Sequence, residues 1–133
     1  MNPLRCLPPF LLGAALLLAG PFAISAEPGA LDGQRFEGVF LVRGKTSGDA
    51  DTLSFKGGRF RSSACDRHGY ADAPYQSRVQ GDAVVFEAET ESTKNGRLVW
   101  KGVVRNGKLD ATATMVRPGK PPLENWVVAA SPG

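Results

Sequence analysis

The chain has 133 residues, with 16 Lys and Arg against 13 Asp and Glu, one histidine and two cysteines. A net charge of +3 is too small an excess of bases to mark a nucleic-acid surface. No apolar run reaches the length that a bilayer-spanning helix needs.

Residues 1–26 read as an export leader. Arg5 and the free amine precede the apolar run FLLGAALLL, and Ala23-Ile-Ser-Ala26 places a small residue at the cleavage end. Cleavage after Ala26 leaves residues 27–133 as one domain, periplasmic or secreted. Cys6 lies before the apolar run, where a lipoprotein cysteine would follow it, so no lipid or other stable membrane anchor is expected. Cys65 is then the single remaining thiol. No internal disulfide can form, and the hydrophobic core must supply the stability. A lone thiol in an oxidising compartment is expected to be buried and inert.

After a polar lead over residues 27–34, residues 35–43 alternate Phe36, Gly38, Phe40 and Val42 against Glu37, Val39 and Leu41, a strand pattern. Residues 44–51, GKTSGDAD, form a loop. It lacks the leading Gly and spacer of a phosphate loop and the closing Glu of a calcium loop. Residues 52–56 and 59–64 pair over Gly57-Gly58, with Phe55 opposite Phe60 and Leu53 opposite Ser62. Residues 65–73 connect to a strand over 74–80 with Tyr75, Ser77 and Val79 inward. The Gly81-Asp82 turn sets Val79 opposite Val84, Ser77 opposite Phe86 and Tyr75 opposite Ala88.

Residues 81–116 carry three further strands whose faces follow from parity. Val84, Phe86, Ala88 and Thr90 share the inner face with Leu98, Trp100, Gly102 and Val104, and with Leu109, Ala111, Ala113 and Met115. A three-residue loop, Lys94-Asn95-Gly96, predicts Trp100 opposite Thr90 and Lys101 opposite Glu89. A two-residue Asn106-Gly107 turn predicts Val104 opposite Leu109 and Trp100 opposite Ala113. Ala88, Gly102 and Ala111 then form a row of small residues beside Trp100, either the taper of a small barrel or space for a ligand. The Pro-rich residues 117–123 cannot pair as a strand. Residues 124–130 form the last strand, with Trp126 and Val128 on one face. The fold class is all-β: an eight-stranded antiparallel meander, closed or partly open as a small barrel.

Leu31-x-Gly33, Leu53-x-Phe55, Gly58-Arg59-Phe60, Ala64-Cys65-Asp66 and Gly81-Asp82 with Phe86 resemble the first half of a META domain, a small exported bacterial β domain. The likeness spans about residues 31–86, and the Trp100-Lys-Gly102 strand departs from it. The strand count as a whole is similar to the calycin barrels, lipocalins and avidins among them, and Val99-Trp100-Lys101-Gly102 is similar to an avidin-type Trp-x-Gly strand. These resemblances imply ligand binding or a role in the cell envelope, and no shared catalytic site.

The residues themselves offer little chemistry. Cys65 and His68 could be half of a zinc site or a thiol–base pair, but there is no second Cys/His pair to complete a metal site, and no metal or other cofactor is expected. Glu87, Glu89 and Glu91 share a solvated outer face, which reads as salt-bridged surface and not as a paired-acid site. Lys56, Arg59, Arg61 and Arg78 form an outward basic patch, an ordinary charged face that blocks edge association or a surface for anionic polymers and headgroups. The inward hydroxyls of Tyr75, Ser77, Thr90 and Ser62 either bond each other or water, or line a pocket with Trp100 and Trp126.

The leading expectation is a monomeric, non-enzymatic binding module for a small, partly apolar ligand, with Tyr75, Ser77, Thr90, Trp100 and Trp126 as the binding residues. The first rival is a protein-interaction or inhibitor module with an envelope protein as partner, acting through residues 44–51, 65–73 and 117–123. The second is an enzyme using Cys65 and His68. The pocket requires a cavity enclosed by Tyr75, Trp100 and Trp126. The interaction module requires a filled interior with an apolar patch or free strand edge, and the enzyme a thiol within hydrogen-bond reach of the imidazole.

Overall fold

Alternating burial along each strand organises residues 25–132, the part of the chain that the computed structural model describes. The elements are β1 (Ser25–Ala26), β2 (Arg35–Val42), β3 (Asp49–Lys56), β4 (Arg59–Ser62), α1 (Ser63–Asp66), β5 (Ala73–Gln80), β6 (Ala83–Ser92), β7 (Gly96–Arg105), β8 (Lys108–Val116) and β9 (Leu123–Ala130). β2 to β9 form an antiparallel meander, and β9 pairs with β2, which closes an eight-stranded barrel. Closure removes the free edges that an open meander would expose. The predicted leader, residues 1–26, lies outside the described residues except for Ser25 and Ala26, which pair with Val79 and Arg78 of β5.

β4 is short and meets β5 only at Arg59–Pro74 and Phe60–Ala73. The rest of that edge of β5 is taken by β1 and by the Glu27 amide, which donates to the Ser77 carbonyl at 2.9 Å. The following residues bring Leu31 into the core, fully buried. The N-terminal lead therefore fills the gap that a four-residue strand leaves, at the end of the barrel where the β3–β4, β5–β6 and β7–β8 turns also lie. The opposite end, here called the mouth, gathers the other four connections, with α1 among them.

The pairings across Gly57-Gly58, Gly81-Asp82 and Asn106-Gly107 match the sequence-derived registers residue for residue. Four expectations are corrected. At the β6–β7 hairpin Ser92 pairs with Gly96, so Trp100 faces Ala88 and Lys101 faces Glu87, two residues from the predicted register. The loop is Thr93-Lys94-Asn95, and Gly96, at φ 84°, already belongs to the strand. The Ser92 hydroxyl decides this: it accepts from the Lys94 and Asn95 amides at 3.2 Å each and donates to the His68 carbonyl at 2.8 Å. A slip of two keeps every side chain on its face, so the face assignment survives.

The slip has a packing consequence. Phe86, and not Ala88, lies opposite Gly102. A Cβ on Gly102 would come within 2.4 Å of the Phe86 ring, so the room predicted along a row of small residues is occupied by an aromatic side chain. Trp100 sits between Ala88 and Ala113, and small neighbours accommodate its ring.

The second correction is that β3 begins at Asp49, not at residue 52. Asp51 is buried inside the barrel wall and accepts from the Ser62 hydroxyl at 2.8 and 2.9 Å and from the Ala64 amide at 3.0 Å. A carboxylate with that many donors can be buried in a strand that reads as a polar loop. Third, β4 ends at Ser62, and residues predicted to continue it form the single helical turn α1, whose Ala64 amide donates to Asp51 on the neighbouring strand. Fourth, β9 turns inward Asn125, Val127 and Ala129, which face Ala113, Ala111 and Leu109 of β8. Trp126 and Val128 consequently point outward, 49% and 53% exposed.

The interior is a chain of rings. Phe55 contacts Phe36, Phe60, Tyr75 and Phe86 at centroid distances of 4.9–6.1 Å, and Phe60 contacts Trp100 at 4.8 Å. Edge-to-face pairs of this kind contribute about 0.5–1.5 kcal/mol each beyond the area they bury.

Candidate functional site

The five residues expected to bind a ligand do not form one site. Trp100 is fully buried, and its indole N–H donates to Thr90 Oγ1 at 3.1 Å. Tyr75 donates to Asp32 Oδ1 at 2.7 Å and accepts from the Leu31 amide at 3.0 Å. Ser77 donates to the Glu27 carbonyl and accepts from the Ala30 amide at 3.4 Å. The hydroxyls of Tyr75 and Ser77 thus hold down the N-terminal lead, and Thr90 orients the Trp100 ring. Trp126 lies on the outer wall, away from all four. The predicted cavity between Tyr75, Trp100 and Trp126 is replaced by packed aromatic core.

Space opens instead at the mouth. A cup of about 280 Å³ has an apolar floor of Phe40, Leu98, Met115 and Leu123, with Cys65, His68, Tyr70 and Asn125 around it. Phe40 separates it from the core, its ring 6.0 Å from that of Trp100. The wall is held by main-chain and side-chain bonds between α1, its following loop and the β6–β7 turn. The His68 carbonyl accepts from Ser92 Oγ at 2.8 Å and Asn95 Nδ2 at 2.9 Å, and the Tyr70 hydroxyl donates to the Asn95 carbonyl at 3.2 Å.

Cys65 is buried in this wall. Burial is the main reason that its thiol is pushed up to about 11; the nearby Asp51 and Asp66 carboxylates add to it, and a hydrogen bond with Ser62 partly offsets it. The sulfur is therefore a neutral thiol near pH 7, the wrong state for a nucleophile. His68 is exposed and engages Cys65 through its main-chain N–H, which donates to the Cys65 carbonyl at 3.0 Å. Among the described residues no hydrogen bond joins the thiol to the imidazole, and no group of three or more His, Cys, Asp or Glu converges as a metal centre would require. Tyr70 is also shifted upward, by burial first and by the neighbouring Cys65 second.

Asn125 is the polar residue that the sequence reading passed over. Its side chain is 2% exposed and its Nδ2 donates to the Ala113 carbonyl at 3.1 Å. Among the described residues the Nδ2 bond is its one side-chain hydrogen bond, and the residue borders the cup, onto which Oδ1 opens. No local signal places it: the face of β9 follows from its register with β8, Leu109 opposite Ala129, which the Pro-rich connection between the two strands does not set.

The outer wall carries the remaining features. Glu87 lies opposite Lys101, and Glu89 pairs with Arg97 at 3.3 Å. Arg59 pairs with Asp72 at 3.3 Å and Arg61 with Asp66, so half of the predicted basic patch is neutralised. A shallow concavity of about 480 Å³ runs past Trp126, Val128, Val103 and Val85, edged by Arg78, Lys101, Glu87 and Asp110. No protein-family model, curated protein or solved structure matches this chain.

Proposed function

We propose that this protein is an exported, non-enzymatic binding module that takes a small, partly apolar ligand in the cup at the barrel mouth. The observation that carries the reading is the combination found there: a concave apolar floor of four side chains with a few convergent polar groups, the usual composition of a small-molecule site. A neutral buried thiol and a histidine that engages it through its backbone support binding over catalysis. Cleavage after Ala26 belongs to the same reading, and the intact mass of protein recovered outside the cytoplasm tests it. A retained leader or an added diacyl mass would overturn export.

Binding is tested by NMR titration with indole, which is small enough for the cup. The amides of Leu98, Met115 and Asn125 should shift saturably, and Met115→Trp, which fills the cup, should abolish the response. Absence of saturable shifts, or shifts unaffected by Met115→Trp, would overturn the reading.

A second reading, an interaction module for an envelope protein, is favoured by the filled interior together with Trp126 and Val128, two large side chains half-exposed side by side on the outer wall. Indole shifts clustered at Trp126 instead of Leu98 and Asn125 would move the binding surface there.

A further inference from the structure

We infer that the cup selects neutral ligands bearing an N–H or O–H donor on an apolar body, and that Asn125 Oδ1 is the atom that reads the donor. The inference rests on the cup being the binding site.

The argument begins with how Asn125 is held. It is the third residue of β9, flanked by Ala113 of β8 and Val42 of β2, and its side chain points inward. One end of the amide is committed, since Nδ2 donates to the Ala113 carbonyl. That bond fixes the rotation of the group and leaves Oδ1 as the free end, beside Leu98, Met115 and Leu123. Oδ1 is not sealed away as Arg78 Nε and Arg117 Nε are; it opens onto the cup, and a ligand that dries the cup without bringing a donor leaves it unmet, which is costly. A ligand donor that reaches it avoids that cost, whereas an isostere without the donor leaves the oxygen stranded in a drier site.

Asn125 differs from the other polar side chains around the cup in burial: His68 is exposed and Asn95 only partly buried. The Tyr70 hydroxyl donates to Asn95 and the Asn95 amide donates to His68. Cys65 presents a neutral thiol. At the rim Asp49 is paired with Arg67 at 2.8 Å, so the two opposite charges offset each other there. The apolar floor and the amide oxygen of the buried Asn125 beside it together specify a neutral donor.

The test compares indole with indene, which has the same shape and lacks the N–H, by titration of the full folded protein. Wild type should bind indole about tenfold or more tightly than indene. The Asn125 side-chain amide resonances should move with indole and stay in place with indene. In Asn125→Leu, of similar volume, the preference should collapse to within about twofold, chiefly through loss of indole affinity. Equal binding of both compounds at the cup by wild type would overturn the inference while leaving the cup a binding site. Binding of neither would overturn the cup reading and this inference together. Should Asn125→Leu fail to fold, the wild-type preference and the Asn125 resonances decide the matter: preference without movement of those resonances would assign the selection elsewhere and overturn the role of Asn125.

Discussion

The barrel interior and its mouth use the same eight strands to different ends. Below Phe40, Tyr75, Ser77 and Thr90 all find protein partners, and the rings of Phe36, Phe55, Phe60, Phe86 and Trp100 interlock. Above Phe40 the strands diverge into connections, the lining thins to Leu98, Met115 and Leu123, and Asn125 spends one end of its amide on Ala113 and leaves the other with no partner among the described residues. The difference lies in how each end is closed. The lower end is sealed by the N-terminal lead, which carries Leu31 inward and places Asp32 against both Tyr75 and the Gly58 amide. The mouth is bordered by α1 and its loop, tied to the β6–β7 turn through His68, and that tie braces the rim without filling the space beneath it.

The sharpest challenge to this contrast is Trp100→Ala. If Trp100 is core and not pocket wall, truncation should cost about 3–5 kcal/mol in chemical denaturation. A cost under about 1 kcal/mol would mean that the interior is hollow around it, and the division between filled core and open cup would fail.

Next in size is the alkaline response. The Cys65 thiol moves from 9.0 to about 11 and the Tyr75 hydroxyl from 10.0 to about 12, burial being the first cause in both. Each pKa is raised on folding, so the unfolded chain loses these protons first. The stabilisation is complete below pH 9 and is lost as pH rises, over pH 9–11 for Cys65 and pH 10–12 for Tyr75, on the order of 2 kcal/mol for Cys65 and less for Tyr75, whose hydroxyl is only partly buried. Denaturation midpoints measured across this range should fall, and the fall should be shallower over pH 9–11 in Cys65→Ala and over pH 10–12 in Tyr75→Phe. Unchanged slopes in both variants would show that neither wall residue is sealed from solvent as described.

The smallest effect is expected at Trp126→Ala. Its side chain is half-exposed on the outer wall, so the stability cost should stay below about 1 kcal/mol and the indole shifts at Leu98 and Asn125 should persist. A loss of several kcal/mol would place Trp126 within the core after all.

Much of the barrel was legible from local chemistry. Alternation in steps of two assigns the faces along β4 to β8, Val79 at the end of β5 excepted, which was expected inward and is 41% exposed, and Gly57-Gly58, Gly81-Asp82 and Asn106-Gly107 set three registers, because a tight turn and a strand period involve only neighbours in sequence. The β6–β7 register escaped that reading because the Ser92 hydroxyl anchors its loop to the His68 carbonyl, a bond between residues 24 apart. Asp51 read as loop because its donors, Ser62 and Ala64, arrive only once β4 has paired with β3.

Sequence by itself determined an all-β meander of eight main strands and the inward placement of Tyr75, Ser77, Thr90 and Trp100. Tertiary structure alone decided three things: that β9 closes on β2, that Trp126 faces out while Asn125 faces in, and that the open space lies at the mouth. Each depends on β9 lying between β8 and β2, on α1 bonded to Asp51, and on the β6–β7 turn reaching across to His68. Turn chemistry and strand period act within a few residues, whereas a concave space and the side chains that face it exist only where distant segments have already met.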